Sequence, residues 1–155
     1  MNLRVYLVIV ALALISPLAL AGGSDKATGS LVTAPRMMQS ELLGTWKYVS
    51  GMNSGKEVKF PEGITPLKHI TPTHFTVVGY NSKDGSVIWV IGGTYTVRGD
   101  LYEETPLYGM IVNFPNLRGN LQTYRWRVEQ NLWKTAGKLS TGSPAEEVWE
   151  KVEQR

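Results

Sequence analysis

The sequence contains no cysteine among its 155 residues. A disulfide is therefore excluded, and so is a lipid anchor attached to a cysteine. A domain built from this chain has to be held together by its apolar core alone. Five Trp, seven Tyr and three Phe can supply much of that core, since each buried aromatic ring removes roughly 150–250 Å² from water.

The chain has little excess charge of either sign: 16 Lys and Arg stand against 13 Asp and Glu, which gives a net charge of +3. The basic residues are scattered, and only Arg125 and Arg127 lie close together. A nucleic-acid-binding surface needs clustered basic residues. The sequence therefore predicts no nucleic-acid partner.

Histidine is rare, with His69 and His74 as its two positions. A zinc site needs three or four ligands, and this segment has neither cysteine nor an acidic partner, so we expect no metal and no cofactor. Residues five apart on a strand are expected on opposite faces, although Pro72 between the two histidines can bend the chain. His74 is either a hydrogen-bonded group of the protein wall or a donor or base facing a cavity.

Long apolar runs are absent except at the amino terminus. Arg4 precedes the run Val5 to Ile15, Ser16 and Pro17 interrupt it, and Ala19-Leu20-Ala21 has the small-x-small pattern of a signal peptidase site. A span of the bilayer needs roughly 20 apolar residues. Residues 1–21 are therefore interpreted as a signal peptide, which predicts a secreted or periplasmic protein with no stable membrane span after cleavage; an uncleaved anchor is the alternative.

The rest of the chain divides into two parts. Residues 22–40 are rich in Gly, Ser, Thr and Ala and are interpreted as a flexible linker with a short helical turn near Met37 to Leu43. Residues 41–155 form the folded domain, which we expect to be monomeric.

Short strands separated by turns predict an all-β domain. Gln122 to Val128 alternates with period two, as in a half-buried antiparallel strand. Asp84-Gly85 is typical of a hairpin turn, and Gly92-Gly93 inside a strand indicates a bulge or bend. About eight strands joined by short turns favour an antiparallel up-and-down barrel over a sandwich, because closure removes the sheet edges.

The segment Leu42-Leu43-Gly44-Thr45-Trp46 resembles the Gly-x-Trp signature at the start of the first lipocalin strand. Together with the segments that follow, the chain resembles a bacterial family of small secreted lipocalin-like (calycin) domains of largely unknown function. These segments are Lys68 to Phe75, Gly92 to Tyr95, Tyr102-x-Glu104-x-Pro106, Tyr108-Gly109 and Glu147 to Glu150.

The resemblance implies a barrel of eight to ten strands with one open end and an interior that can hold a small molecule. It also implies that a basic residue near the last strand stacks on Trp46 at the closed end. Lys151 is the candidate, with Arg155 as second choice; the alternative is a fully solvated Lys151.

One strand is expected to place several polar groups together. Tyr102, Glu104 and Tyr108 share a face if Pro106 does not shift the register. If that face points inward, Glu104 needs a partner, because an unpaired buried charge is costly; Arg125 is the predicted partner and Arg118 the reserve. The alternative places Glu104 on the solvated outside.

The predicted ligand-binding residues combine these polar groups with aromatic side chains of the strands. No catalytic residue is predicted. The ligand-binding residues are His74, Tyr95, Tyr102, Glu104, Tyr108, Tyr124, Arg125 and Trp126.

Three functional hypotheses follow. The first is extracytoplasmic binding of a small, partly apolar or aromatic ligand in the barrel cavity. The second is an enzyme that uses His74 and Glu104 as acid and base in one pocket. The third is a protein-interaction or inhibitor domain that acts through loops such as Pro61 to Pro66 or Phe114 to Gly119.

Overall fold

The computed structural model describes residues 39–153, which form an antiparallel β-barrel. Its strands are β1 (Gly44–Asn53), β2 (Lys56–Glu57), β3 (Ile64–Ile70), β4 (His74–Asn81), β5 (Val87–Arg98), β6 (Leu101–Met110), β7 (Gln122–Glu129), β8 (Leu132–Lys138) and β9 (Pro144–Lys151). They follow one another in the order β2-β1-β3-β4-β5-β6-β7-β8-β9, and β1 also pairs with β9. That pairing closes eight strands into a barrel with β2 as an extra strand. The predicted all-β up-and-down barrel is confirmed.

Helical structure in the described part is limited to residues 39–42 and a short helix, Phe114–Leu117, between β6 and β7. Pro115 lies in the first turn of that helix, where its missing N–H costs nothing. Across residues 39–153, no helix is long and apolar enough to span a bilayer.

The barrel has two different ends. At the first end, helical residues 39–42 lie against the start of β1 and the β3–β4 turn, where Gln39 donates from Nε2 to the Pro72 carbonyl at 2.6 Å. Leu42 is fully buried there. The far end carries the β1–β2, β4–β5, β6–β7 and β8–β9 connections.

Trp46 and Lys151 seal the first end. The Lys151 ammonium lies 4.3 Å from the centroid of the Trp46 ring, and it donates to the carbonyls of Leu43 and Glu41. The Trp46 indole donates to the Leu42 carbonyl at 2.7 Å. The stacking of Lys151 on Trp46 implied by the family resemblance is therefore present. Burial lowers the pKa of Lys151.

Buried and exposed residues alternate along the strands, and most of the buried side chains that fill the barrel are aromatic. On β7, Gln122, Tyr124 and Trp126 are buried while Arg125 and Arg127 are exposed, as the alternation predicts. The buried apolar core comprises Leu42, Trp46, Ile70, Phe75, Val77, Tyr95, Tyr102, Tyr124, Trp126, Trp133, Ala145 and Trp149.

The predicted irregularity at Gly92-Gly93 is a β-bulge. Gly93 pairs with Pro106 and Gly92 with Tyr108, so that the residue between them on β6 has no opposite partner. A side chain on Gly93 would collide with the Thr105 carbonyl. The extra residue reverses the inward and outward alternation at the end of β6, so that Tyr108 lies on the outside of the barrel.

Candidate functional site

A lysine ammonium lies in the middle of the barrel. Lys68 on β3 is 2% exposed, because its strand position points inward between Pro66 and Ile70. Four rings surround its Nζ atom at 4.8–5.7 Å, those of Phe75, Tyr102, Trp133 and Trp149. Cation–π attraction on this scale stabilises a desolvated ammonium, but it does not replace a counter-ion.

The counter-ion is Glu104 on β6. Its Oε1 lies 2.5 Å from Lys68 Nζ, and both side chains are almost fully buried. The same Oε1 accepts from the Tyr102 hydroxyl at 2.6 Å. Burial, with the Glu104 charge second, raises the pKa of Tyr102 well above its ordinary value, so this phenol stays a donor.

The sequence-based partner assignment for Glu104 is wrong. Arg125 is exposed and pairs with Asp100 at 2.5 Å, because its position on β7 points outward. Arg118 is exposed in the connection that precedes β7. Lys68 lies on the inward face of β3, and its pairing with β6 depends on the folded barrel.

A second carboxylate, Glu147 on β9, approaches the same ammonium. Its Oε2 lies 3.9 Å from Lys68 Nζ and accepts from the Trp149 indole at 2.8 Å. The Glu147 side chain is 31% exposed, whereas that of Lys68 is 3% exposed. Glu147 is therefore the interior carboxylate that solvent reaches.

A cleft lies in the wall at the far end, where β1 and β3 separate. The two strands pair from Gly44↔Ile70 to Lys47↔Leu67 and no further. The next pair would place Tyr48 opposite Pro66, and proline has no N–H to donate. The gap is a cleft of about 340 Å³, and its lining includes Tyr48, Val58, Phe60, Ile64 and Pro66.

Aromatic side chains connect this cleft with Glu147. The row consists of Trp149, Tyr48, Phe60 and Trp89, with ring centroids 5.3, 5.1 and 6.1 Å apart in that order. Tyr48, Phe60 and Trp89 are half-buried, so part of each remains accessible. Desolvation and the charges of Glu147 and Glu57 raise the pKa of Tyr48 to about 12.

The structure divides the predicted ligand-binding set into two groups. Tyr95, Tyr102, Glu104, Tyr124 and Trp126 point into the barrel and are buried. Tyr124 donates to Gln122 Oε1 at 3.0 Å, and Tyr95 donates to the Thr71 carbonyl. His74, Tyr108 and Arg125 are exposed on the outside.

Tyr108 is outside because of the bulge. It is 46% exposed, and its hydroxyl lies 2.8 Å from the Thr76 hydroxyl on the outer face of β4. Tyr102, Glu104 and Tyr108 were expected to share a face only with an unshifted register, and that condition fails, because the unpaired residue in β6 shifts the register by one position.

The two histidines lie on the same face, not on opposite faces. The β3–β4 hairpin pairs Ile70 with Phe75 and His69 with Thr76. Ile70 and Phe75 both point inward, so the residues that precede them on the two strands point outward, and the parity rule for a single strand does not apply. His69 and His74 both point outward, and His74 bonds to Thr73 at 2.8 Å.

The acid–base hypothesis for His74 and Glu104 is contradicted by this placement. The histidine lies outside the barrel, and Glu104 is buried in an ion pair with Lys68.

Within residues 39–153, no three His, Asp or Glu side chains are grouped as a metal site requires. Lys68 and Glu147 were not among the predicted site residues, and the shared parity of Glu147 with Trp149 on β9 was the available signal.

The solved structures most useful for comparison are two Bacteroides proteins. A lipocalin-like protein from Bacteroides uniformis ATCC 8492 is 13% identical with a TM-score of 0.51, and the match covers 72% of this chain and 99% of that protein. An uncharacterized protein from Bacteroides eggerthii DSM 20697 is 14% identical with a TM-score of 0.51, covering 71% and 98%. No family model and no curated protein matches the chain. The fold is thus a lipocalin-like barrel.

Proposed function

We propose that this chain is an extracytoplasmic binding protein for a small, partly apolar ligand that enters at the far end of the barrel. The observation that carries the proposal is the cleft of about 340 Å³ between β1 and β3. Ligand sites are typically concavities of about 300–1,000 Å³. This cleft is lined by apolar side chains such as Val58, Phe60 and Ile64 and by the charged side chains of Lys47, Glu57 and Lys59. The extracytoplasmic part rests on the signal-peptide pattern of residues 1–21, which lie outside the described residues.

The first end of the barrel is covered, within residues 39–153, by the helical segment 39–42. Leu42, the last residue of that segment, and Trp46 are both buried there, and Lys151 ties β9 to the chain that precedes β1. At the far end, the separation of β1 and β3 leaves apolar side chains accessible beside the half-buried rings of Tyr48 and Phe60. A partly apolar guest can bury its own surface against them, at about 25 cal/mol per Å².

The test uses N-phenyl-1-naphthylamine, a neutral apolar probe whose emission rises on burial. We expect saturable binding to the wild-type protein with one site per chain. I64E places a charge in the cleft wall and is expected to weaken binding at least tenfold, because the charge must be desolvated. V112E is the control, since Val112 is 65% exposed on the loop after β6. Absence of saturable binding to wild type, or equal binding to I64E, would contradict the proposal.

The location is tested separately. The full chain, expressed in a bacterial host with residues 1–21 intact, is expected in the periplasm or medium without those residues, as mass spectrometry of the purified protein would show. A cytoplasmic protein of full mass would contradict this part of the proposal and leave ligand binding unaffected.

An exposed apolar surface favours protein interaction as a second candidate. Val87, Ile88, Tyr108, Met110 and Val112 are 46–65% exposed, and the last two adjoin the connection that contains the predicted interaction loop Phe114 to Gly119. Self-association through this surface predicts a concentration-dependent dimer in sedimentation velocity that the variant M110S/V112S loses. A monomer at every concentration would reject self-association.

A further inference from the structure

We infer that the ligand carries a primary ammonium group and that Glu147 receives it. The inference rests on the proposed binding function and specifies the class of ligand: an amine attached to an apolar body. It follows from the charge balance of the barrel interior, from oxygen acceptors near Glu147 and from the aromatic row beside it.

At mid-barrel, the described inward-pointing side chains carry more negative than positive charge. Among the described residues that point inward at mid-barrel, the Lys68 ammonium faces the carboxylates of Glu104 and Glu147 at 2.5 and 3.9 Å. The shorter contact is a direct hydrogen-bonded ion pair, and the longer one exceeds hydrogen-bond length. The unbalanced charge therefore resides on Glu147, the member of the trio that solvent reaches. An added cation has a carboxylate to pair with there.

An oxygen without a partner lies beside this carboxylate. Thr135 on β8 is directly opposite Glu147 in the register, and the residue is 5% exposed. Its Oγ1 has no hydrogen-bond partner in the described structure. A buried hydroxyl left without a partner costs free energy, which a donor that reaches Glu147 from solvent can recover.

A third oxygen completes the set. Gly51 on β1 is the other cross-strand neighbour of Glu147, and the Tyr48 hydroxyl lies over it, 2.5 Å from where a Cβ would stand. Carboxylate, threonine hydroxyl and phenol all accept hydrogen bonds. A primary ammonium has three N–H donors to offer to them, whereas a quaternary ammonium has none.

The aromatic row provides a surface for the rest of the ligand. Its half-buried members, Tyr48, Phe60 and Trp89, extend from the neighbourhood of Glu147 towards the cleft. An apolar body can lie against these rings while the ammonium faces Glu147. An anionic head group in the same position would face Glu147 with its own negative charge, so it is disfavoured.

The experiment compares four ligands with the same eight-carbon chain: octylamine, octanol, octanoate and octyltrimethylammonium. Binding is measured by calorimetry at pH 7, where octylamine is positively and octanoate negatively charged. We expect octylamine to bind at least tenfold more tightly than each of the other three. NMR provides a local readout, because the Trp149 indole N–H bonds to Glu147 and its resonance is expected to shift with octylamine.

The matched variants are E147Q and E146Q. Both remove one negative charge from β9, but Glu146 is exposed on the outer face. E147Q retains a carbonyl oxygen for the Trp149 N–H, so the fold is expected to persist. Octylamine affinity is expected to fall about tenfold or more in E147Q and to stay within twofold in E146Q, since a hydrogen-bonded charge pair is lost in the first alone.

The outcomes separate this inference from the function it rests on. Equal binding of octylamine, octanol and octanoate, unaffected by E147Q, would overturn the ammonium site while supporting apolar binding. Equal binding of octyltrimethylammonium and octylamine would overturn the primary-amine assignment. Binding of none of the four, together with failure of the naphthylamine probe, would overturn both proposals.

Discussion

The side chains of Lys68 and Glu104 meet inside the barrel, with Nζ 2.5 Å from Oε1, although β4 and β5 separate their strands in the sheet. This contact spans the interior and fixes β3 relative to β6 without any backbone hydrogen bond. It also explains how a disulfide-free barrel tolerates ionised groups in an aromatic core: ammonium and carboxylate neutralise each other, and the Tyr102 hydroxyl occupies a further acceptor site.

Removal of the lysine charge is expected to be costly. K68M leaves Glu104 buried without its counter-ion, and unfolding by urea should show a loss of about 3–5 kcal/mol. K68M/E104Q should recover part of this loss, because the uncompensated charge is gone. The control is K83M, which breaks the exposed Lys83–Glu62 pair and should change stability by about 0–1 kcal/mol. Equal effects of K68M and K83M would show that the Lys68 pair is not excluded from water.

The bulge provides a second test through two adjacent glycines. An added methyl group at Gly93 meets backbone atoms of Thr105, Pro106 and Leu107, whereas at Gly92 it meets the ring of Tyr108. The β6 backbone opposite Gly93 is held in the sheet and cannot move away from an added methyl group, whereas the exposed ring of Tyr108 can rotate away from one at Gly92. G93A should therefore destabilise by about 1–3 kcal/mol or more, and G92A clearly less. Equal losses in thermal unfolding would contradict this account of the bulge.

The closed end should depend on Lys151. K151M removes the stacking on Trp46 and the bonds to the carbonyls of Leu43 and Glu41. We expect a loss of about 1–2 kcal/mol, together with faster amide hydrogen exchange at residues 42–46. K138M, at an exposed position near the end of β8, is the control. Unchanged exchange in K151M would mean that the lysine does not hold the two segments together.

Alkaline pH should destabilise the protein in part through Tyr48. Its pKa rises from 10.0 to about 12 on folding, first through desolvation and then through the charges of Glu147 and Glu57. Between these values the folded state keeps a proton that the unfolded chain has lost, so the free energy of unfolding falls as pH increases. Y48F should have a shallower pH dependence in urea unfolding at pH 10–12. A slope parallel to wild type would contradict the shift.

Local sequence patterns were sufficient for much of the barrel. The alternation in β7, the hairpin signal at Asp84-Gly85 and the paired glycines of β5 each depend on residues next to one another. Strand periodicity also grouped Tyr102 with Glu104, and Tyr124 with Trp126, on shared faces, because side chains alternate along any strand.

Predictions failed where they crossed an irregularity or relied on a single strand. The bulge opposite Gly92 and Gly93 moved Tyr108 to the outside, since one unpaired residue inverts all later positions. Counting along one strand put His69 and His74 on opposite faces unless Pro72 bends the chain; the hairpin pairs Ile70 with Phe75, so both histidines lie on the outer face. Arg125 was chosen as the partner of Glu104 by charge, yet its own parity points it away.

By itself, the sequence determined the class of fold, the strand alternation, the Gly-x-Trp start of the barrel and the need for an aromatic core without disulfides, because these depend on composition and near neighbours. The tertiary structure decided that Lys68 pairs with Glu104, that Glu147 is accessible, and that Pro66 marks a cleft in the wall. Those relations join strands far apart in the chain, and barrel closure sets which inward side chains face each other.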